Sequence, residues 1–301
     1  MACQAPTPRS YKPNADRTWN VHRSGVQVGS CRRASRTALF FGSGGRLGRM
    51  TLFSAAEGTW VERLGGLRNL VRQESIARQL ECHVPSRHTV LDVGCGQGTQ
   101  AIRLAERGCT VVGVDPSTAL LEQLRAAAHA GGLQVQTCVG SLEDLPALLD
   151  DRRFEVVCAH GLLMYLEDTA AALAMLASYA IPDGLLSVTF RNGAALAYRP
   201  ALRGQWRAAT EALGAKTYVN ELGVTATAHT LENITGCLTE LGFAVVQWYG
   251  VRVFTDPMPA DQAPPPEPEL RRLLDVEYEA SRRDPYRHFG SQIHVVAQRT
   301  S

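Results

Sequence analysis

Residues 90–108 read VLDVGCGQGTQAIRLAERG. An apolar run leads into Asp92, glycines follow at 94, 96 and 98, and apolar residues then recur at helical spacing through Ala101, Leu104 and Ala105. Seventeen residues past Gly98 a second apolar run, VVGVD, ends in Asp115. Strand, tight glycine turn, helix, strand, acid is the order in which an open α/β sheet holds an adenosine-bearing cofactor. The glycines at 94 and 96 let the backbone turn sharply and approach a ligand, and Gly98 sits where a side chain would hold the helix start away from the sheet.

The acids refine this reading. In a dinucleotide site the helix N-terminus faces a pyrophosphate, and a carboxylate at Asp92 would repel it. Asp92 suits a cation instead, such as the methionyl ammonium of S-adenosylmethionine; the structural alternative is an aspartate that caps its own loop. Asp115 ends the second strand with both carboxylate oxygens free to accept from a vicinal ribose diol.

Outward from this core the chain alternates. Strands are expected at 89–93, 109–114, 133–139, 154–159 and 185–190, with helices at 99–106, 118–130, 142–149 and 170–180 between them. That rhythm reads as a doubly wound sheet. PDG at 182–184 reads as a turn just before the fifth strand. A helix over 59–80 precedes the sheet and contains Arg72. After the fifth strand, 191–230 breaks the rhythm as an insertion, with a helix over 194–213 that Pro200 can break. Arg199, Arg203 and Arg207, spaced four apart, would share one face, either solvated or turned to a substrate. A helix at 230–241, a strand at 243–249, a Pro-rich loop over 257–269, a helix at 270–281 and a final strand at 292–298 complete the order.

Composition narrows the class. No run of 18 apolar residues marks a membrane span. The eight cysteines form no CxxC pair, which reads as free thiols in a reducing cytoplasm, with no metal site. Residues 1–49 hold nine Arg or Lys against one acid, whereas 50–301 hold 22 against 28. The first stretch reads as a weakly ordered basic leader or extension, and 50–301 as a single domain. The acidic domain argues against a broad nonspecific nucleic-acid surface.

Two further segments sit at strand ends. Ser141 and Leu142, after the third strand, would border an adenine, while Glu143, and with less weight Asp144, would cap the following helix. His160 ends the fourth strand, where ligands of parallel sheets sit. Met164 and Tyr165 read as packing, with Tyr165 also placed to line an acceptor pocket.

VLDVGCGQG, VVGVD and the His160 segment resemble the class I S-adenosylmethionine methyltransferases. The resemblance spans roughly residues 60–300 and implies a Rossmann-like sheet of seven strands, the last antiparallel. GVRVFTD at 250–256 and LLDVEYEASRRDPYRHFGSQIHVVA at 273–297, together with FRN at 190–192, resemble the bacterial tRNA 5-carboxymethoxyuridine methyltransferases. The pattern shared there comprises Arg252, Asp256, Glu277, Pro285, Tyr286, Gly290, Ile293 and His294. That resemblance implies S-adenosylmethionine as cofactor, with Arg72 on its methionyl carboxylate, Gly94, Cys95 and Gly96 in the loop beside Asp92, Asp115 on the ribose, Ser141 and Leu142 at the adenine, and His160 in the cofactor site. It implies methyl transfer to the carboxylate of the modified wobble uridine of tRNA. The sequence departs from it in two places: Cys95 stands where glycine is expected, and the insertion carries only Lys216 in place of a lysine cluster. Loss of those cations weakens phosphate contacts and leaves open an O- or N-methyltransferase acting on a small metabolite. A carboxylate acceptor needs no strong base, and Arg191, Asn192 and Arg252 are expected to form its side of the site, an arginine fork holding one oxygen. The structural alternative for Arg252 is a salt bridge to Asp256 or Glu277.

Overall fold

The computed structural model describes residues 65–220 and 223–300. The basic stretch 1–49 and the first residues of the helix expected from position 59 lie outside them. One mixed sheet dominates. Its parallel part comprises β1 (Thr89–Val93), β2 (Thr110–Asp115), β3 (Val135–Val139), β4 (Phe154–His160) and β5 (Ala180–Arg191). It is completed by β8 (Phe243–Val251) and β9 (Gln292–Arg299). The spatial order is β3-β2-β1-β4-β5-β9-β8, with β9 antiparallel to both neighbours. The seven-stranded Rossmann-like sheet with its last strand antiparallel is therefore present.

Alternation along each strand sends side chains to two covered faces. Leu91, Val93, Val112, Val114 and Val157 pack on one face with α4 (Leu145–Leu149), α5 (Thr169–Ser178) and α8 (Leu231–Glu240). Val90, Val111, Val156 and Cys158 pack on the other with α1 (Leu67–Glu81), α2 (Thr99–Glu106) and α3 (Thr118–Gly131). Each such Val or Leu contributes about 1.5–3 kcal/mol when fully buried. Strand order reverses between β1 and β4, which opens a crevice at their carboxyl ends.

Three local expectations need correction. The segment 182–184 lies within β5 rather than before it: Phe154 pairs with Ala180 and Val156 with Leu185, so 181–184 bulge out opposite one residue of β4. The helix expected at 194–213 is two short ones, α6 (Tyr198–Leu202) and α7 (Trp206–Ala212). Pro200 sits inside the first, where an unused N–H is harmless. The break falls at Gly204 and puts Arg207 on a different helix from Arg199. The insertion also holds an unexpected hairpin of β6 (Thr217–Val219) and β7 (Thr225–Thr227). The loop after residue 257 lies against α1, whose Leu67 N–H donates to the Gln262 carbonyl, before α9 (Glu269–Ser281) begins.

Candidate active site

The glycine loop is fastened from beneath by β2. Gly94 and Cys95 N–H groups donate to the Val114 carbonyl at 2.8 and 3.2 Å, and Gly96 N–H donates to Asp115 Oδ2 at 2.8 Å. Gly98 adopts φ +82°, and a Cβ there would strike Leu124 of α3. The neighbour that demands glycine is thus a helix rather than the sheet. Cys95 is accommodated by a glycine elsewhere: a Cβ on Gly113 would lie 2.8 Å from Cys95 Sγ, so the thiol fills the space that β2 leaves at Gly113.

Asp115 differs from expectation. Oδ2 takes the Gly96 N–H and Oδ1 takes the Ser117 N–H at 2.9 Å, so both oxygens are already engaged by the protein. Asp92 is the opposite case. It is 3% exposed and has no side-chain hydrogen bond or ion pair among the described residues, so it does not cap its loop. Burial, and then the Asp115 charge, push its carboxyl up to about 7.

Arg72 of α1 supplies the complementary charge. A Cβ built on Gly161, just past β4, would lie 3.5 Å from its Nη1. Its Nε is buried without a partner, and burial lowers its pKa. An unpaired guanidinium and an unpaired carboxylate border the same crevice. His160 closes it, with Nε2 2.9 Å from Ser187 Oγ and Nδ1 buried without a partner. Burial, and then Arg72, lower this imidazole to about 3, so it is neutral at physiological pH.

Ser141 and Leu142 stand at the end of β3. Asp144, not Glu143, makes the cap there, accepting from both Ser141 N–H and Ser141 Oγ–H at 2.8 Å. Leu142 is 7% exposed and belongs to the core, so it offers a ring little more than an edge.

Beyond Arg72 lies a second wall, drawn from four segments. Asp256 is 2% exposed, with Arg68 Nη2 at 3.2 Å, Arg252 Nη2 at 3.3 Å, Arg199 Nε at 3.8 Å and Arg191 Nη1 at 4.0 Å. Burial alone would raise this carboxyl, but Arg252, Arg191, Arg199 and Arg68 reverse that and hold it well below the usual range. Arg252 falls to about 10 through burial, opposed by Asp256 and reinforced by Arg68, Arg191 and Arg72. Four guanidiniums gather on one carboxylate in a desolvated place, and Arg191 and Arg252 by themselves already outnumber it. Glu277 does not add to the neutralisation by direct pairing. Its carboxylate accepts the N–H groups of Val253, Phe254 and Thr255 at 2.8, 3.1 and 2.7 Å, folding the loop after β8 so that Arg252 and Asp256 meet.

Of the expected acceptor residues, Arg191 and Arg252 are in this wall and Asn192 is not. Asn192 Nδ2 donates to the His288 and Gly290 carbonyls at 2.9 Å each, and its Oδ1 accepts from Ala194 N–H. It is a clamp with no donor left over. Arg203 binds the Pro257 and Met258 carbonyls, and Arg207 pairs with Glu211 in solvent. Two contributors went unnamed in the sequence. Arg68 was legible, because it stands one helical turn before Arg72. The hairpin was not. It sets Tyr218 OH 3.5 Å from Met164 Sδ, Asn220 Nδ2 3.1 Å from Tyr165 OH, and the Tyr218 ring 5.1 Å from the Arg191 guanidinium.

Residues 90–184, which carry the loop, both acids and His160, match the family model of a methyltransferase domain. The chain is an S-adenosylmethionine-dependent methyltransferase with the class I fold. This methyltransferase is 28% identical over 240 residues to the tRNA 5-carboxymethoxyuridine methyltransferase of Escherichia coli O157:H7, covering 78% of this chain and 89% of that one. It is 31% identical over 157 residues to the ubiquinone biosynthesis O-methyltransferase of Xanthomonas axonopodis pv. citri (strain 306), covering 50% and 64%. Among solved structures, magnesium protoporphyrin IX methyltransferase from Synechocystis PCC 6803 with bound SAH superposes with TM-score 0.54 at 17% identity, over 84% of this chain and 97% of that one. The donor set of the methyltransferase crevice fits the cofactor: a buried carboxyl and a half-buried guanidinium, neither paired within the protein, suit the two ends of an amino-acid zwitterion, and the carboxylate at the end of β2 suits a diol.

No helix among the described residues is long and apolar enough to cross a membrane.

Proposed function

We propose that this enzyme methylates a small acidic metabolite, with the four arginines around Asp256 receiving its acid group. The observation that carries this reading is the excess of Arg191 and Arg252 over the one carboxylate they share, Asp256, next to the crevice of Arg72 and Asp92. In this reading Asp92 takes the ammonium and Arg72 the carboxylate of the cofactor's methionyl end. Asp115 accepts from the ribose, Gly94, Cys95 and Gly96 supply backbone beside it, and Ser141 and Leu142 flank the adenine. S-adenosylmethionine supplies a methyl group on a sulfonium that leaves as a neutral thioether. The chain's part is to hold an acceptor oxygen or nitrogen in line and to keep water out. Arg191 and Arg252 orient the acid through charge-assisted hydrogen bonds, and the tyrosines at 165 and 218 enclose the acceptor side. Burial raises both phenols, Tyr218 to about 12, so neither is an anion competing for the arginines. His160, neutral with a pKa of about 3, is too weak a base to carry a proton away at neutral pH. That favours an acceptor needing no deprotonation, such as a carboxylate.

A second reading, esterification of 5-carboxymethoxyuridine in tRNA, draws support from the relative that aligns over most of both chains. The single lysine of the insertion weighs against it. Methyl transfer from labelled S-adenosylmethionine to small carboxylic acids, run beside tRNA bearing the unmethylated nucleoside, separates the two. Label in small acids alone supports the first reading. Label in tRNA alone overturns it.

A further inference from the structure

Behind His160 a run of buried side chains crosses the sheet from β4 to α1. His160 Nε2 lies 2.9 Å from Ser187 Oγ on β5, Ser187 Oγ lies 2.7 Å from His294 Nε2 on β9, and His294 Nδ1 lies 2.7 Å from Gln79 Oε1 on α1. Gln79 Nε2 ends the run on the Gly250 carbonyl at 3.4 Å. Ser187, His294 and Gln79 are each at most 1% exposed.

The end of this run fixes its direction. A carbonyl only accepts, so Gln79 presents its NH2 to Gly250 and its Oε1 to His294. Oε1 only accepts, so His294 carries its proton on Nδ1. Burial, and then His160 and His83, hold His294 neutral, so its Nε2 is a bare acceptor. Ser187 must then donate to His294, and its oxygen accepts the proton on His160 Nε2. Every bond of the run is thereby polarised the same way, and the lone pair of His160 is left on Nδ1, the one ring atom without a partner. Arg72 reaches this end of β4, where a Cβ on the neighbouring Gly161 would lie 3.5 Å from its Nη1, and its charge acts on the His160 ring.

We infer that Ser187, His294 and Gln79 are positioning residues that fix His160 as its Nε2–H tautomer, holding a bare Nδ1 beside Arg72 and so orienting the guanidinium that receives the cofactor's carboxylate. The opposite tautomer would turn an N–H toward a cation and leave Ser187, with its single proton, between two bare acceptor nitrogens, His160 Nε2 and His294 Nε2. This inference rests on the proposed pairing of Arg72 with the cofactor and adds the device that aims it.

Long-range ¹H–¹⁵N correlation spectra of the ligand-free protein with ¹⁵N-labelled histidine read the tautomers directly. His160 protonated on Nε2 and His294 on Nδ1 is the expected result; His160 protonated on Nδ1 overturns the inference, whatever any variant does. The second arm measures S-adenosylhomocysteine binding by calorimetry. Ser187→Ala is expected to abolish the single tautomer of His160 and weaken binding about tenfold, and Ser187→Thr to restore both. Unchanged affinity in a Ser187→Ala protein that has lost the tautomer overturns the positioning role. Wild-type protein that binds no S-adenosylhomocysteine defeats the cofactor reading itself, and the tautomers, seen without ligand, tell that failure from this one.

Discussion

The two sides of the candidate active site handle charge in opposite ways. At the proposed cofactor crevice the buried Asp92 and the half-buried Arg72 each lack a partner, and one contiguous motif with a single added helix delivers most of the groups. At the proposed acceptor wall the charges have found each other: four arginines surround Asp256, drawn from α1, the end of β5, α6 and the loop after β8. A buried charge without a partner is costly to the folded chain and is relieved only by a ligand. A clustered excess carries its own counter-ion and can stand ready without one. The first arrangement suits one ligand of fixed chemistry. The second tolerates a range of anions.

The sharpest way to break this comparison is Asp92→Asn. A folded-state pKa of about 7, above the ordinary 3.8, means the fold prefers the protonated acid. The stabilising contribution is complete at acidic pH and is lost as pH rises from about 4 through 7. The loss is on the order of 4 kcal/mol, from 1.36 kcal/mol per unit. Ligand-free Asp92→Asn is therefore expected to melt higher than wild type at pH 8 and no higher at pH 4, while binding S-adenosylhomocysteine roughly 10- to 100-fold more weakly. Equal melting at pH 8 would mean that Asp92 has an undetected partner.

On the other wall, Arg252→Ala is expected to lower acceptor kcat/KM about 100-fold, roughly 2.7 kcal/mol, with S-adenosylhomocysteine affinity held within about threefold. Steady-state kinetics beside calorimetry checks both. A loss confined to cofactor affinity would merge the two walls into one site.

Smaller effects test the scaffold. Gly113→Ala sets a methyl 2.8 Å from Cys95 Sγ and is expected to destabilise by about 1–3 kcal/mol. Cys95→Gly should relieve part of that, with a coupling of at least about 0.5 kcal/mol in a denaturation cycle. Strict additivity would show that the thiol does not pack there. Arg207→Ala, in solvent on its own helix, is expected to change stability by no more than about 0.5 kcal/mol and acceptor kinetics not at all. A kinetic effect would extend the acceptor wall along the insertion.

The same contrast explains what could be read beforehand. The crevice is local: β1 and α2 begin and end where periodicity placed them, and Asp92, Asp115 and His160 fall at the strand ends expected. What failed there was detail at the scale of single bonds. Asp115 was expected free and is fastened twice; Asp144 caps in place of Glu143. The wall is nonlocal. Arg191, Arg199 and Arg252 each drew notice, but nothing along the chain says that they converge on Asp256, with Arg68 beside them. Asn192 stands next to Arg191 yet turns away to bind two carbonyls. The hairpin at 217–227 was invisible because three-residue strands are too short to show a period of two.

Gly250 and Gly290 touch across the sheet edge: a Cβ on Gly290 would lie 2.7 Å from Gly250 Cα and from Val251 N, and one on Gly250 would strike the Arg287 carbonyl. Backbone pressed to backbone leaves no side chain to trim or enlarge, so this seam admits no gradual change of shape. Arg252 stands two residues from it. Arg191, in the same cluster, is covered instead by the ring of Tyr218, on a small hairpin that the sheet does not need. A lineage or an engineer seeking a new acceptor would therefore find its adjustable parts on the hairpin, with the welded seam as the fixed jaw against which any new substrate is measured.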